Sequence, residues 1–208
     1  MKIHVVGSNY VYANWLEGKM VDSIDDADLV MLTGGEDWHS SWYSNEEPHP
    51  SMTTNFSRDL NEIREAVKAY SLKKKMIGIC RGSQGGCIFA GGELIQHQDT
   101  LGYIHPMRTH DDRVIQVTST HHQAAYPFRK LKEGEDFKLL GWTNSLKFRF
   151  LNAKESAHSS KEAEVVYYPK INFLGIQPHP ESMYGIDEYN ETITYFQNLA
   201  KKFIEGKL

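Results

Sequence analysis

Cys80 has a glycine two residues away on either side, in Gly78-Ile79-Cys80-Arg81-Gly82. A short apolar run, Met76 to Ile79, leads into it. Glycines at those two places allow a strained strand-to-helix turn that any side chain would crowd. Such a turn exposes the sulfur at the end of a strand and aims the next helix's N-terminus at it, which favours thiolate over thiol. A buried structural cysteine beside a Gly-rich loop is the alternative, and the pentapeptide alone does not separate the two. A second stretch shifts the balance: Leu174-Gly175-Ile176-Gln177-Pro178-His179-Pro180-Glu181. It supplies His179, with the carboxylate of Glu181 two residues on, after another apolar run. Nucleophile, base and a group to orient the base are the parts of a nucleophilic triad. In that chemistry a thiolate attacks an amide carbonyl. His179 takes the thiol proton and later delivers one to the leaving nitrogen, while Glu181 holds the imidazole in place. By elbow geometry, the backbone N–H of Arg81 is one donor to the tetrahedral oxyanion. Cys87 lacks the elbow and reads as structural.

The two motifs, in this order, resemble the class I (triad) glutamine amidotransferases. The nearer likeness is to their γ-glutamyl-γ-aminobutyrate hydrolase (peptidase C26) branch, over most of the chain from Leu29 to about Ser182. The resemblance implies a flavodoxin-like α/β fold and cleavage of a γ-glutamyl amide through a cysteine thioester that water hydrolyses. It places the second oxyanion donor in the Gly34-Gly35 loop, at Gly35, with Gly34 at the substrate. It gives Gln84 a part in holding the glutamyl group, although helix N-terminal capping is the plainer role. Ser119-Thr120-His121-His122-Gln123 resembles a Ser-x-His-His-Gln segment that borders the substrate in that branch. Arg58-Asp59 matches a pair whose expected work is structural, or shaping the entrance. Departures stand out. Thr33 replaces the proline of a Pro-Gly-Gly turn, and Pro178 stands where an aromatic residue is usual. Ser83 and Gly85-Gly86-Cys87 replace bulkier residues.

A chain of 208 residues is long enough for a substantial core, and one domain over residues 1–208 is expected. A net charge of −4 offers no field for nucleic acid or an anionic membrane. No apolar run approaches the ~20 residues a membrane span needs. Met1 to Gly7 reads as a first strand rather than a signal peptide. Two cysteines seven residues apart across one helix start argue against a disulfide, so a reducing cytoplasm is expected. Ten histidines raise the idea of metal. Adjacent strand histidines such as His121 and His122 point to opposite faces, and no zinc-site spacing occurs, so neither metal nor another cofactor is expected.

The elements that must position these residues follow from the hydrophobic pattern. Ile3–Val6 and Leu29–Leu32 read as strands, the latter covered on both faces. Tyr10–Glu17 reads as a helix. Glu36–Thr54 is a long aromatic and polar loop, in which Trp38, His39, Trp42 and Tyr43 are expected either to line a leaving-group pocket or to dock a partner. Phe56, Leu60, Ile63, Val67 and Tyr70 form the apolar stripe of an amphipathic helix. Gly91-Gly92 ends the elbow helix. His97–Asp112 is expected to be irregular, Val114–Thr118 and Phe137–Trp142 strands, and Asn152–Lys161 a loop. Glu164–Tyr168 and Asn172–Gln177 form a hairpin. Tyr189, Ile193, Phe196, Leu199 and Phe203 mark a C-terminal helix. The whole predicts an open, mainly parallel sheet with helices on both faces and an antiparallel portion, its site at the carboxyl ends of strands.

Three functions compete on these residues. One is a stand-alone γ-glutamyl hydrolase acting on a small amine or a phosphate- or nucleotide-linked nitrogen. Another is a glutaminase subunit feeding ammonia to a partner synthetase, which is the less expected. The third, an idle binding module, is disfavoured by the intact Cys80, His179 and Glu181. An α/β-hydrolase is disfavoured too, because there the triad acid precedes the histidine.

Overall fold

The computed structural model describes residues 1–7, 9–44, 47–98, 104–144, 149–157 and 159–208. Asn45, Glu46, residues 99–103 and His158 fall within segments read above as loops or irregular chain, and with Ser8 and residues 145–148 they lie outside the described residues.

Leu29–Leu32 pairs in parallel with Lys2–Val5 on one side and Lys75–Ile79 on the other. Its four side chains are all buried, and they alternate between two cores. Leu29 and Met31 join Ile77, Ile79 and the C-terminal helix; Val30 and Leu32 join Met76, Ala66, Ala69 and Cys87. That is why the run is apolar without a break: both faces are covered by helices.

In chain order the elements are β1 (Lys2–Val5), α1 (Val11–Asn14), β2 (Lys19–Met20), β3 (Leu29–Leu32), α2 (Phe56–Ser71), β4 (Lys75–Ile79) and α3 (Arg81–Phe89). Then come β5 (Glu93–Ile95), β6 (His97–Gln98), β7 (Ile104–Thr109), β8 (Val114–Thr118), β9 (Ala124–Tyr126), β10 (Lys138–Asn144) and β11 (Arg149–Phe150). The chain ends with β12 (Lys161–Tyr168), β13 (Phe173–Ile176), α4 (Pro180–Met183) and α5 (Asn190–Ile204). Among the described residues nine strands form one sheet in the order β2-β1-β3-β4-β13-β12-β10-β7-β8. The pairings from β2 to β13 are parallel, and those from β13 to β8 antiparallel. β4 and β13 are neighbours, with Ile79 opposite Ile176. Their parallel carboxyl ends therefore deliver the Cys80 and His179 motifs side by side. No helix of the described residues is long and apolar enough to cross a membrane.

Three expectations need correction. The period of α2 is right but its face is not: Asp59, Glu62, Ala66 and Ala69 are buried, while Phe56, Val67 and Tyr70 are exposed. The inward face carries two carboxylates because a buried arginine, Arg81, meets them. His97–Asp112 is not irregular, since it contains β6 and β7. In β7 the inward residues are His105, Met107 and Thr109, with His105 bonded to buried Glu164, so the alternation hides behind polar side chains. Third, Trp38 is fully buried and Tyr43 nearly so. Trp38 is a core residue, not the lining of an open pocket.

Candidate active site

Cys80 sits at φ +51°, ψ −108°, a left-handed conformation that costs a non-glycine residue on the order of 1–3 kcal/mol. The glycines around it make the turn sterically feasible. A Cβ on Gly78 would lie 2.2 Å from the Gly82 carbonyl oxygen, and one on Gly82 would lie 2.5 Å from that of Leu32. The Gly82 N–H donates to the Thr33 carbonyl at 3.1 Å, fastening the elbow to the strand end that carries Gly34 and Gly35.

The side chain of Arg81 completes the anchorage, a role with no signal in the sequence. Its guanidinium is fully buried. It donates to Asp59 Oδ1 at 2.6 Å, to Glu62 Oε2 at 3.1 Å and to the Glu36 carbonyl at 2.6 Å, and it lies 4.4 Å from the centroid of the Trp38 ring. Trp38 Nε1 in turn donates to the Arg81 carbonyl at 2.8 Å. Arg58 holds the other side of the loop, donating to the Gly34 carbonyl at 2.6 Å and to Glu62 at 2.7 Å. The Arg58-Asp59 pair is thus structural, and it works with Glu62.

His179 caps α4, which starts at Pro180. Its Nδ1 lies 2.6 Å from Glu181 Oε1. Its Nε2 is buried without a hydrogen-bond partner among the described residues, and the ring stands beside Cys80 at Gly34. Burial lowers the ring's pKa, but hydrogen bonding and charge from Cys80 and Glu181 outweigh it and push the value up to about 10. Those interactions favour the protonated ring. A Cβ on Gly34 would lie 2.9 Å from His179 Cε1, 2.9 Å from Tyr12 Oη and 3.6 Å from Cys80 Cβ, so Gly34, Tyr12, His179 and Cys80 bound one small space. Among the described residues no acceptor takes up the N–H of Gly35 or of Arg81.

The remaining expected residues divide. Gln84 is buried, donating to the Gln123 carbonyl at 2.6 Å and lying 3.4 Å from Gln177 Oε1. Gln123 is spent on the loop: Oε1 accepts from the Trp38 N–H at 3.0 Å and Nε2 donates to Tyr43 at 3.2 Å. His121 is buried, and desolvation pushes its pKa down to about 4, so it is a neutral ring among Glu162, Glu164 and His105. His122 is half-buried, with Nε2 3.0 Å from Asp37 Oδ2 and Nδ1 3.2 Å from His97 Nδ1. His121 and His122 lie on the connection between β8 and β9, not on a strand. Thr120 is exposed. Ser119 Oγ and Gln177 Nε2 are buried without partners among the described residues. No group of three or more His, Cys, Asp or Glu side chains among the described residues could hold a metal ion. Cys87 donates to the Glu93 carbonyl at 3.2 Å, and burial pushes its thiol up to about 12, the inert cysteine expected.

The His179 geometry gives a pH prediction. The folded ring keeps its proton until about 10, whereas an unfolded histidine loses it near ~6.5. The charged pair's contribution to stability is therefore complete below ~6.5 and is lost as pH rises through about 10. Activity that needs the imidazolium to protonate a leaving group should fall on that same alkaline limb. Glu181→Gln removes one of the charges that raise the value, so its alkaline limb should move to lower pH. A limb that stays in place in that variant would show that Glu181 does not hold the His179 proton.

The open α/β sheet thus sets a cysteine elbow beside a histidine–carboxylate pair at the carboxyl ends of β4 and β13. The chain belongs to the Peptidase C26 family, whose profile matches residues 13–181. It is similar to protein NtpR of Enterococcus hirae, 37% identical over 78 residues, which are 37% of this chain and 32% of that one. It is also similar to a Lactococcus lactis subsp. cremoris protein described as a glutamine amidotransferase-like YvdE homologue, 39% identical over 70 residues, 33% of this chain and 37% of that one. The match thus spans about a third of each curated relative. Among solved structures the fold is that of a Thermotoga maritima glutamine amidotransferase (TM-score 0.58, 12% identity, 97% of this chain and 84% of that one). It is shared by a Thermoplasma acidophilum structure described as that of a GMP synthase subunit (TM-score 0.57, 18% identity, 97% of this chain and 98% of that one).

Proposed function

We propose that this protein is a γ-glutamyl hydrolase that cleaves a γ-glutamyl amide to glutamate and an amine through a thioester on Cys80. The observation that carries the reading is the meeting of Cys80, at a strained elbow, with a His179 ring held 2.6 Å from Glu181. The sulfur attacks the γ-carbonyl and the resulting oxyanion is met by the N–H groups of Gly35 and Arg81. The intermediate collapses, the C–N bond breaks, and His179 delivers its proton to the departing nitrogen. Water, deprotonated by the same ring, then hydrolyses the thioester.

Gln84 and Gln123 act from behind by holding the wall of the site. The likeness of the Ser119–Gln123 segment to the hydrolase branch favours a hydrolase over an ammonia donor, and the Glu36–Thr54 loop is the expected place for a leaving group larger than ammonia. Trp38 does not support that placement, being buried, and Trp38→Ala should destabilise the fold rather than raise KM alone. The test is glutamate release by the purified protein alone, across a panel of γ-glutamyl amides and free glutamine. Faster release from a bulkier amide is the expected result. A protein inert on every amide until a synthetase is added would instead establish an ammonia donor that works with a partner.

A further inference from the structure

Tyr12, on the short helix α1, carries no motif, yet its hydroxyl reaches the site. The Gly34 N–H donates to Tyr12 Oη at 3.1 Å, across 22 residues of sequence. The space a Gly34 side chain would fill is bounded at 2.9 Å by this oxygen, at 2.9 Å by His179 Cε1 and at 3.6 Å by Cys80 Cβ. No side chain fits there, because hydroxyl, base and nucleophile converge closely behind Gly34. The Gly34 amide itself is already spent on Tyr12, so it is not a free donor. The hydroxyl that accepts it still has its own proton to give.

We propose that Tyr12 is a further catalytic residue, a side-chain oxyanion donor whose O–H bonds the tetrahedral oxygen formed when Cys80 attacks. The inference rests on the Cys80 reading of the site given above. An amide N–H donated into a phenol oxygen polarises the O–H and fixes its direction, so the donor is preorganised before charge develops. In the step itself the S–C bond forms and the carbonyl π pair moves onto oxygen. Tyr12 keeps its proton throughout and supplies only the hydrogen bond. On collapse the pair returns, the C–N bond breaks and the proton of His179 goes to nitrogen. Burial, then the nearby Glu181 and Cys80 charges, pushes the Tyr12 hydroxyl up to about 12, which keeps it a donor across the working range.

The experiment compares two reactions of Cys80 in wild type and Tyr12→Phe, followed by intact-protein mass. Acylation by the p-nitrophenyl ester of γ-glutamate passes through an oxyanion and needs no recognition of the natural amine. Alkylation by iodoacetamide is a displacement at a saturated carbon and develops no oxyanion. The expected result is a loss of roughly 100- to 1000-fold in acylation, the scale for removing one oxyanion donor, with alkylation unchanged. Acylation of Tyr12→Phe within about threefold of wild type would overturn the proposal. So would equal losses in both reactions, because a hydroxyl that merely props the Gly34 loop would disturb the sulfur in either case. Acylation of Cys80→Ala at the wild-type rate would overturn the Cys80 reading itself, an outcome separate from either of these.

Discussion

Cys80→Ala should leave a folded protein with turnover lowered on the order of 10,000-fold or more, the scale seen when a covalent nucleophile is removed. The substitution deletes one sulfur from a side chain in a left-handed elbow, and it opens no large cavity. The elbow is held by the Gly82–Thr33 hydrogen bond and the Arg81 anchorage, neither of which involves the sulfur. The thermal midpoint should therefore stay close to that of wild type. His179→Ala should lose almost as much, and Glu181→Gln less, because the ring keeps part of its orientation. Circular dichroism establishes folding and glutamate release measures turnover. Wild-type rates from folded Cys80→Ala would dismiss the thioester route, and wild-type rates from His179→Ala would point to another base, with His121 and His122 the first to test.

Arg81→Ala should be the most damaging single change to stability. It strips a fully buried guanidinium from two carboxylates that are themselves buried, Asp59 and Glu62. Breaking a buried ion pair by removing one partner costs about 3–5 kcal/mol, chiefly because the abandoned charges stay desolvated. For a chain of this length that corresponds to a fall in Tm on the order of 10 °C. Arg81→Lys keeps the charge but not the planar fork that reaches Asp59, Glu62 and the Glu36 carbonyl together, so it should restore only part of the loss. A triple change of Arg81, Asp59 and Glu62 to apolar residues of similar size should recover more stability than Arg81→Lys. Thermal melts of the three variants decide it, and an Arg81→Ala midpoint within a degree or two of wild type would show that the network contributes little.

The candidate site is legible in the sequence because its residues stand in short contiguous runs. Gly78–Gly82 and Gln177–Glu181 each carry their own backbone instructions, and β4 and β13 set them side by side through the strand register. The C-terminal helix was legible for a similar reason: its stripe of Tyr189, Ile193, Phe196, Leu199 and Phe203 is wholly buried. Residues whose partners are distant in sequence were not legible. Asp59 and Glu62 look like solvent-facing carboxylates until Arg81, some 20 positions on, is seen to turn inward. The apolar stripe of α2 is turned about one residue round the helix from the buried face, with Ile63 against the core and Phe56, Val67 and Tyr70 exposed. Tyr12 stands in no recognisable pattern, and only the folded chain brings it to Gly34. Trp38 reads as a binding-site aromatic because a long polar loop surrounds it in sequence.

That tryptophan bears on how the protein could be altered by recombination. Trp38 packs where a side chain at position 85 would otherwise be: a Cβ on Gly85 would lie 2.7 Å from the indole. The small residues after the elbow and the distinctive loop before α2 are therefore two halves of one fit. A chimera that imports only a relative's loop would leave a void over α3, and one that imports only a bulkier elbow helix would collide with Trp38. Loop and helix segment are exchangeable only as a pair, so a homologue with a bulky residue at the position of Gly85 should lack a tryptophan at that of Trp38.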